Sequence, residues 1–171
     1  ELARLGFADA KALAERMEGW TSGKLRSLRS DAALAAFQAI RPQLLAAFGA
    51  APEPDRAILL WEQLLTNLPS AVNLFRLLEA RPALLELLAR ILSLAPPLAE
   101  ELARRADLLD ALIDASAFDL PGDVATLTAR LGANEADDDF EAALDRVRRL
   151  VGELRFALGV QLIEAARDPL E

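Results

Sequence analysis

Four carboxylates crowd into five residues at Glu135, Asp137, Asp138 and Asp139, just before Phe140. Asp137 and Asp139, one residue apart, have the oxygen chemistry and spacing of ligands to a divalent cation. The same residues open a predicted helix, where the macrodipole favours negative charge whatever the function. We read them as helix-start residues. Gly19 to Lys24, GWTSGK, has the look of a phosphate loop, but its glycines are one residue too close, Leu25 stands where a Ser or Thr is needed, and no strand precedes it. A phosphate-binding loop is therefore rejected.

Lys24, Arg26 and Arg29 form a small basic cluster suited to an anion or an acidic partner surface, or simply to a solvated linker. Arg155 lies between Leu154 and Phe156, where a structural residue would snorkel or pair, or would serve an interdomain contact. Trp20 and Trp61 read as core anchors. Trp20, Lys24, Arg26 and Arg155 are the candidate residues for an interdomain or partner contact. Histidine and cysteine are both absent, which removes the commonest general base, the commonest metal ligand and every thiolate site. No catalytic, cofactor-binding or metal-binding constellation is expected in this chain.

The composition narrows the rest. Of 171 residues, 53% are hydrophobic and 27% charged, a mix that folds rather than staying disordered. Leu and Ala dominate, with five Val, five Ile and no Tyr, so residues that pack well on pleated sheets are scarce. The longest charge-free run, from Gln63 to Phe75, is 13 residues and contains Pro69, short of the roughly 20 needed to span a bilayer. No membrane segment is expected. A net charge of −8 argues against a nucleic-acid partner, and the lack of cysteine is consistent with a cytoplasmic protein. The chain opens on Glu1 without an initiator Met, which leads us to expect an excised fragment.

The elements follow from capping and spacing. Asp9 caps a first helix that ends before Thr21-Ser22-Gly23, and Ser30 caps a second that Pro42 must kink or split. Pro52 and Pro54 start a third, Pro69 ends it, Ser70 caps a fourth and Pro82 opens a fifth. Pro96 and Pro97 interrupt a leucine-rich run, yet proline is tolerated in a helix's first turn, so they begin a sixth helix as well as ending the fifth. Further helices are predicted around Leu108 to Ile113 and from Asp123 to about Leu131.

The last helix, about 137–166, carries Phe140, Leu144, Val147, Val151, Leu154 and Leu158 at alternating steps of four and three. This heptad stripe reads as a helix packed along a bundle, with a dimeric coiled coil as the alternative. Near its end Phe156, Val160, Leu162 and Ile163 widen the apolar surface, which predicts burial on several sides. The expected fold is all-α: an irregular bundle of about eight or nine helices with a long C-terminal one. Residues 1–171 read as a single helical domain, with a body over about 8–134.

Several stretches together resemble one family. They are LGFADAKALAERMEGWTSGKLRSLRS at 5–30, LPSAVNLFRLLEARPALLELLARILSLAPPLAEELARRADLLDALID at 68–114, and LRFALGVQLIEAARDP at 154–169. In this order they are similar to the glutamine synthetase adenylyltransferases, which add and remove AMP on bacterial glutamine synthetase. The resemblance implies a larger enzyme with two nucleotidyltransferase modules, ATP and Mg as its cofactors, and glutamine synthetase and the PII signal protein as partners. The chain resembles the central helical region leading into the second, adenylylating module.

The residues carried over are architectural: Trp20, Ser22, Gly23 and Arg26; Leu74 and Phe75; Pro82; Pro96; Leu108, Leu109 and Leu112; and Arg155, Gly159, Val160 and Gln161. Thr21 stands where a His is expected, and Pro97 where a polar residue is usual. The attaching module's Ser-Asp-x-Asp signature, which follows a strand, is missing, and Asp137 and Asp139 do not replace it. The expected role is a noncatalytic linker or regulatory region that positions catalytic modules. The alternative is an autonomous helical interaction scaffold unrelated to nucleotide transfer.

Overall fold

A computed structural model describes residues 2–105, 107–113, 122–132 and 140–165. Among them are nine α-helices and no strand. The chain divides into two compact units, Glu1–Asp107 and Leu108–Glu171. In the first are α1 (Ala10–Thr21), α2 (Asp31–Gly49), α3 (Pro54–Asn67), α4 (Val72–Ala80), α5 (Pro82–Leu94) and α6 (Pro96–Arg104), with 3-10 turns at Leu2–Leu5 and Arg26–Leu28. The second holds α7 (Leu108–Ile113), α8 (Val124–Gly132) and α9 (Phe140–Ala165). The all-α expectation and the long last helix are both realised.

Helix starts follow local chemistry. Asp9 accepts the Ala12 N–H at 2.9 Å, Ser30 the Ala33 N–H at 3.2 Å, and Asp123 the Thr126 N–H at 2.8 Å. Each side-chain oxygen satisfies a donor that has no partner inside the helix. Pro54, Pro82 and Pro96 stand in the first turns of α3, α5 and α6. The Pro96-Pro97 pair thus makes a corner, and the axes of α5 and α6 are bent by 113° there.

One expectation narrows and another changes. Of the two outcomes expected at Pro42, a kink or a split, the split does not occur: α2 runs unbroken from Asp31 to Gly49. One lost N–H bond is outweighed by the burial of Phe37, Ile40, Leu44 and Leu45 on both sides of it. Ser70 does not cap α4. The helix starts at Val72 behind Ala71, whose N–H donates to the Ser27 carbonyl at 3.0 Å, so a tertiary bond replaces the local cap.

The core of the first unit is a continuous row of rings. Trp20 of α1 meets Phe37 edge-on at 5.9 Å, Phe37 meets Phe75 at 5.7 Å, Phe75 meets Trp61 at 6.2 Å, and Trp61 meets Phe48 at 5.6 Å. All five are buried, and these spacings suit offset and edge-to-face ring packing. Both Trp residues are thus core anchors, as expected. Around the row, α2 packs on α4 and α5, and α3 on α5 and α6.

Polar ties converge on α3. Asp55, in its first turn, accepts the N–H groups of Ala8 and Asp9 at 3.0 and 3.3 Å, and Glu62 pairs with Arg16 of α1. Buried Ser27 donates its hydroxyl to the Leu65 carbonyl at 2.6 Å. Buried Ser93 of α5 accepts the Glu53 N–H at 2.7 Å, and Asn67 donates to the Ala103 carbonyl of α6. Elsewhere two backbones touch: a Cβ on Gly49 would lie 2.0 Å from the Leu5 carbonyl oxygen, and one on Gly6 2.4 Å from that of Gly49. Glycine is the residue that fits at this crossing, and Gly6 also has φ of 107°.

In the second unit, α9 packs on α7 and α8, and Arg130 of α8 pairs with Glu153 of α9 at 3.7 Å. Phe156, Val160 and Ile163 are buried as the widened apolar surface predicts, whereas Leu162 is 72% exposed. At 100° per residue Leu162 falls on the opposite side of the helix from those three, so one face is covered rather than the whole circumference. No single described helix is long and apolar enough to cross a membrane.

Ser27→Ala should cost roughly 1 kcal/mol, because it removes a buried hydrogen bond to the Leu65 carbonyl near the end of α3, which then keeps only the Leu68 N–H. Urea unfolding followed by Trp fluorescence measures it. The Asp123 carboxyl is held below its usual value of 3.8 by hydrogen bonds from the Thr126 backbone and hydroxyl. Its cap is therefore fully present above that value and lost as pH falls through the lower folded-state one. Protection of the first α8 amides from hydrogen exchange should fall over that acid range, and Asp123→Ala should remove the dependence.

Candidate functional site

The end of α1 and the turn that follows it carry three of the four candidate contact residues, Trp20 in the helix and Lys24 and Arg26 beyond it. Its geometry is that of a helix C-terminus: the Ser22 N–H donates to the Glu18 carbonyl at 2.9 Å, the Lys24 N–H to the Gly19 carbonyl at 3.3 Å, and Gly23 takes φ of 90°. A bond from two residues past the cap back to the third-last helical carbonyl, around a left-handed glycine, is a Schellman-type closure. The hydroxyls join in, Ser22 donating to the Gly19 carbonyl at 3.0 Å and Thr21 to the Met17 carbonyl at 3.2 Å. Gly23 is there because a left-handed residue must be, and the amides of Ser22 and Lys24 are spent on α1. This is the physical reason GWTSGK is no phosphate cradle.

Trp20 is buried against Phe37, so its ring serves the core of the first unit. Lys24 and Arg26 are exposed on the turn. The Lys24 stem folds over Gly19, where an added methyl would meet its Cδ at 3.2 Å. Arg29 is also exposed and donates its Nε–H to the Gly23 carbonyl at 3.2 Å, bracing the turn. Arg155 belongs to the second unit and is exposed on α9. Glu135, Asp137 and Asp139 lie outside the described residues. Among the described residues, no three His, Cys, Asp or Glu side chains gather where they could hold a metal ion.

Two surface depressions of the first unit were not legible in the sequence. One, of about 380 Å³, lies between α3 and α6 and is lined by Gln63, Thr66, Asn67, Glu100, Ala103 and Arg104. The other, of about 620 Å³, runs between α2 and α5 over Ala46, Ala47 and Ala50, with Pro82, Leu85 and Leu94 on its walls. Only the alanine spacing on α2 hints at it beforehand. Helix packing creates both.

These features define a class: a helical assembly in which Asp55, Glu62, Ser27, Ser93 and Asn67 tie helices of the first unit to one another. No protein-family model matches the chain, and no solved structure matches it. Its sequence is nonetheless similar over almost its whole length to curated bacterial proteins. It is 41% identical over 172 residues to the bifunctional glutamine synthetase adenylyltransferase/adenylyl-removing enzyme of Xanthobacter autotrophicus, covering 97% of this chain and 17% of that relative. To the enzyme of the same name from Mesorhizobium japonicum it is 36% identical over 166 residues, 96% of this chain and 17% of the relative. To that of Caulobacter vibrioides it is 32% identical over 167 residues, 98% and 16% respectively. The chain is homologous to one segment of the bifunctional glutamine synthetase adenylyltransferase family, and spans about one-sixth of the length of these relatives.

Arg26→Ala and Arg155→Ala should each change folding stability by less than about 0.5 kcal/mol, since both side chains are exposed. Thermal melts of the two variants check this, and a larger loss would mark the residue as part of the architecture.

Proposed function

We propose that this chain is a noncatalytic helical linker and regulatory region of a bifunctional glutamine synthetase adenylyltransferase. It precedes the adenylylating nucleotidyltransferase domain and positions the catalytic modules in nitrogen regulation. The observation that carries this reading is the near-complete alignment of the chain with one-sixth of much longer enzymes. The way polar groups are used supports it: Asp55, Glu62, Ser27, Ser93 and Asn67 all tie helices to one another. A spacer needs a rigid body, and this pattern supplies one.

On this reading the parent enzyme uses ATP and Mg in its nucleotidyltransferase modules and acts in the cytoplasm. Its partners are glutamine synthetase and the PII signal protein. Lys24, Arg26 and Arg155 are offered as contacts to a neighbouring module or partner, being cationic and exposed. Trp20 contributes from beneath, since its ring fixes the end of α1 from which the turn projects.

Incubating the 171-residue chain with labelled ATP, Mg and glutamine synthetase should transfer no AMP, and transfer would overturn the noncatalytic assignment. The coding sequence downstream of residue 171 should supply a strand with Gly-x-x-Lys followed by a Ser-Asp-x-Asp motif. A stop codon there would favour an autonomous scaffold instead.

A further inference from the structure

We draw no further inference here: the strongest candidate, the apolar groove between α2 and α5 that runs over Ala46, Ala47 and Ala50 between walls of Pro82, Leu85 and Leu94, carries nothing because nothing in the structure shows what covers it.

Discussion

One helix, α3, holds the first unit together. Its apolar side chains Ala57, Ile58, Leu60, Trp61, Leu64 and Leu65 are buried on one broad face, about 160° wide at 100° per residue, which is wide enough to take several neighbours. Trp61 touches Phe48 of α2 and Phe75 of α4, which makes the ring row a consequence of where α3 sits. The polar groups at its two ends then fix direction, which ring packing alone leaves loose. Asp55 and Glu62 hold α1, the Leu65 carbonyl holds Ser27, and Asn67 holds α6. Burial supplies most of the stabilisation, and the hydrogen bonds make one arrangement preferable to its alternatives.

Prolines set where the bundle turns. Three helices, α3, α5 and α6, open on a proline in the first turn, where it costs no hydrogen bond, and the 113° bend at Pro96 brings the leucine faces of α5 and α6 into one core. Leu88, Ile91, Leu92, Ala99 and Leu102 are all buried on the two sides of that corner. A long rod with the same leucines would have exposed half of them. The result is a closely packed body rather than a rod.

The second unit uses its longest helix unevenly. One side of α9 is buried through Phe156, Val160 and Ile163, while the heptad side faces outward, and a chain with an overall charge of −8 tolerates such a strip because the rest of its surface is well solvated. The P-loop-like turn after α1 is a helix cap whose backbone amides are bonded to α1 itself.

Much was settled by the amino-acid sequence alone. Helix starts at Asp9, Ser30, Pro54, Pro82, Pro96 and Asp123 were readable because capping and proline geometry are local, involving residues within one turn. The all-α class was readable from leucine and alanine content, and Trp20 and Trp61 from their size and surroundings. What the sequence left undecided depends on residues far apart in the chain. Ser27 looks like an ordinary loop serine until it binds Leu65 and Ala71 at once, and that contact is why Ser70 is not needed as a cap. Pro42 reads as a kink or a split of α2, and the burial on both sides of it is what keeps the helix in one piece. The stripe on α9 reads as a face packed along a bundle, with a coiled-coil seam as the alternative, because heptad spacing states that a face is apolar and says nothing of what lies against it. Only tertiary packing, which chose the Phe156 face for the interior, decided that the stripe stays outside.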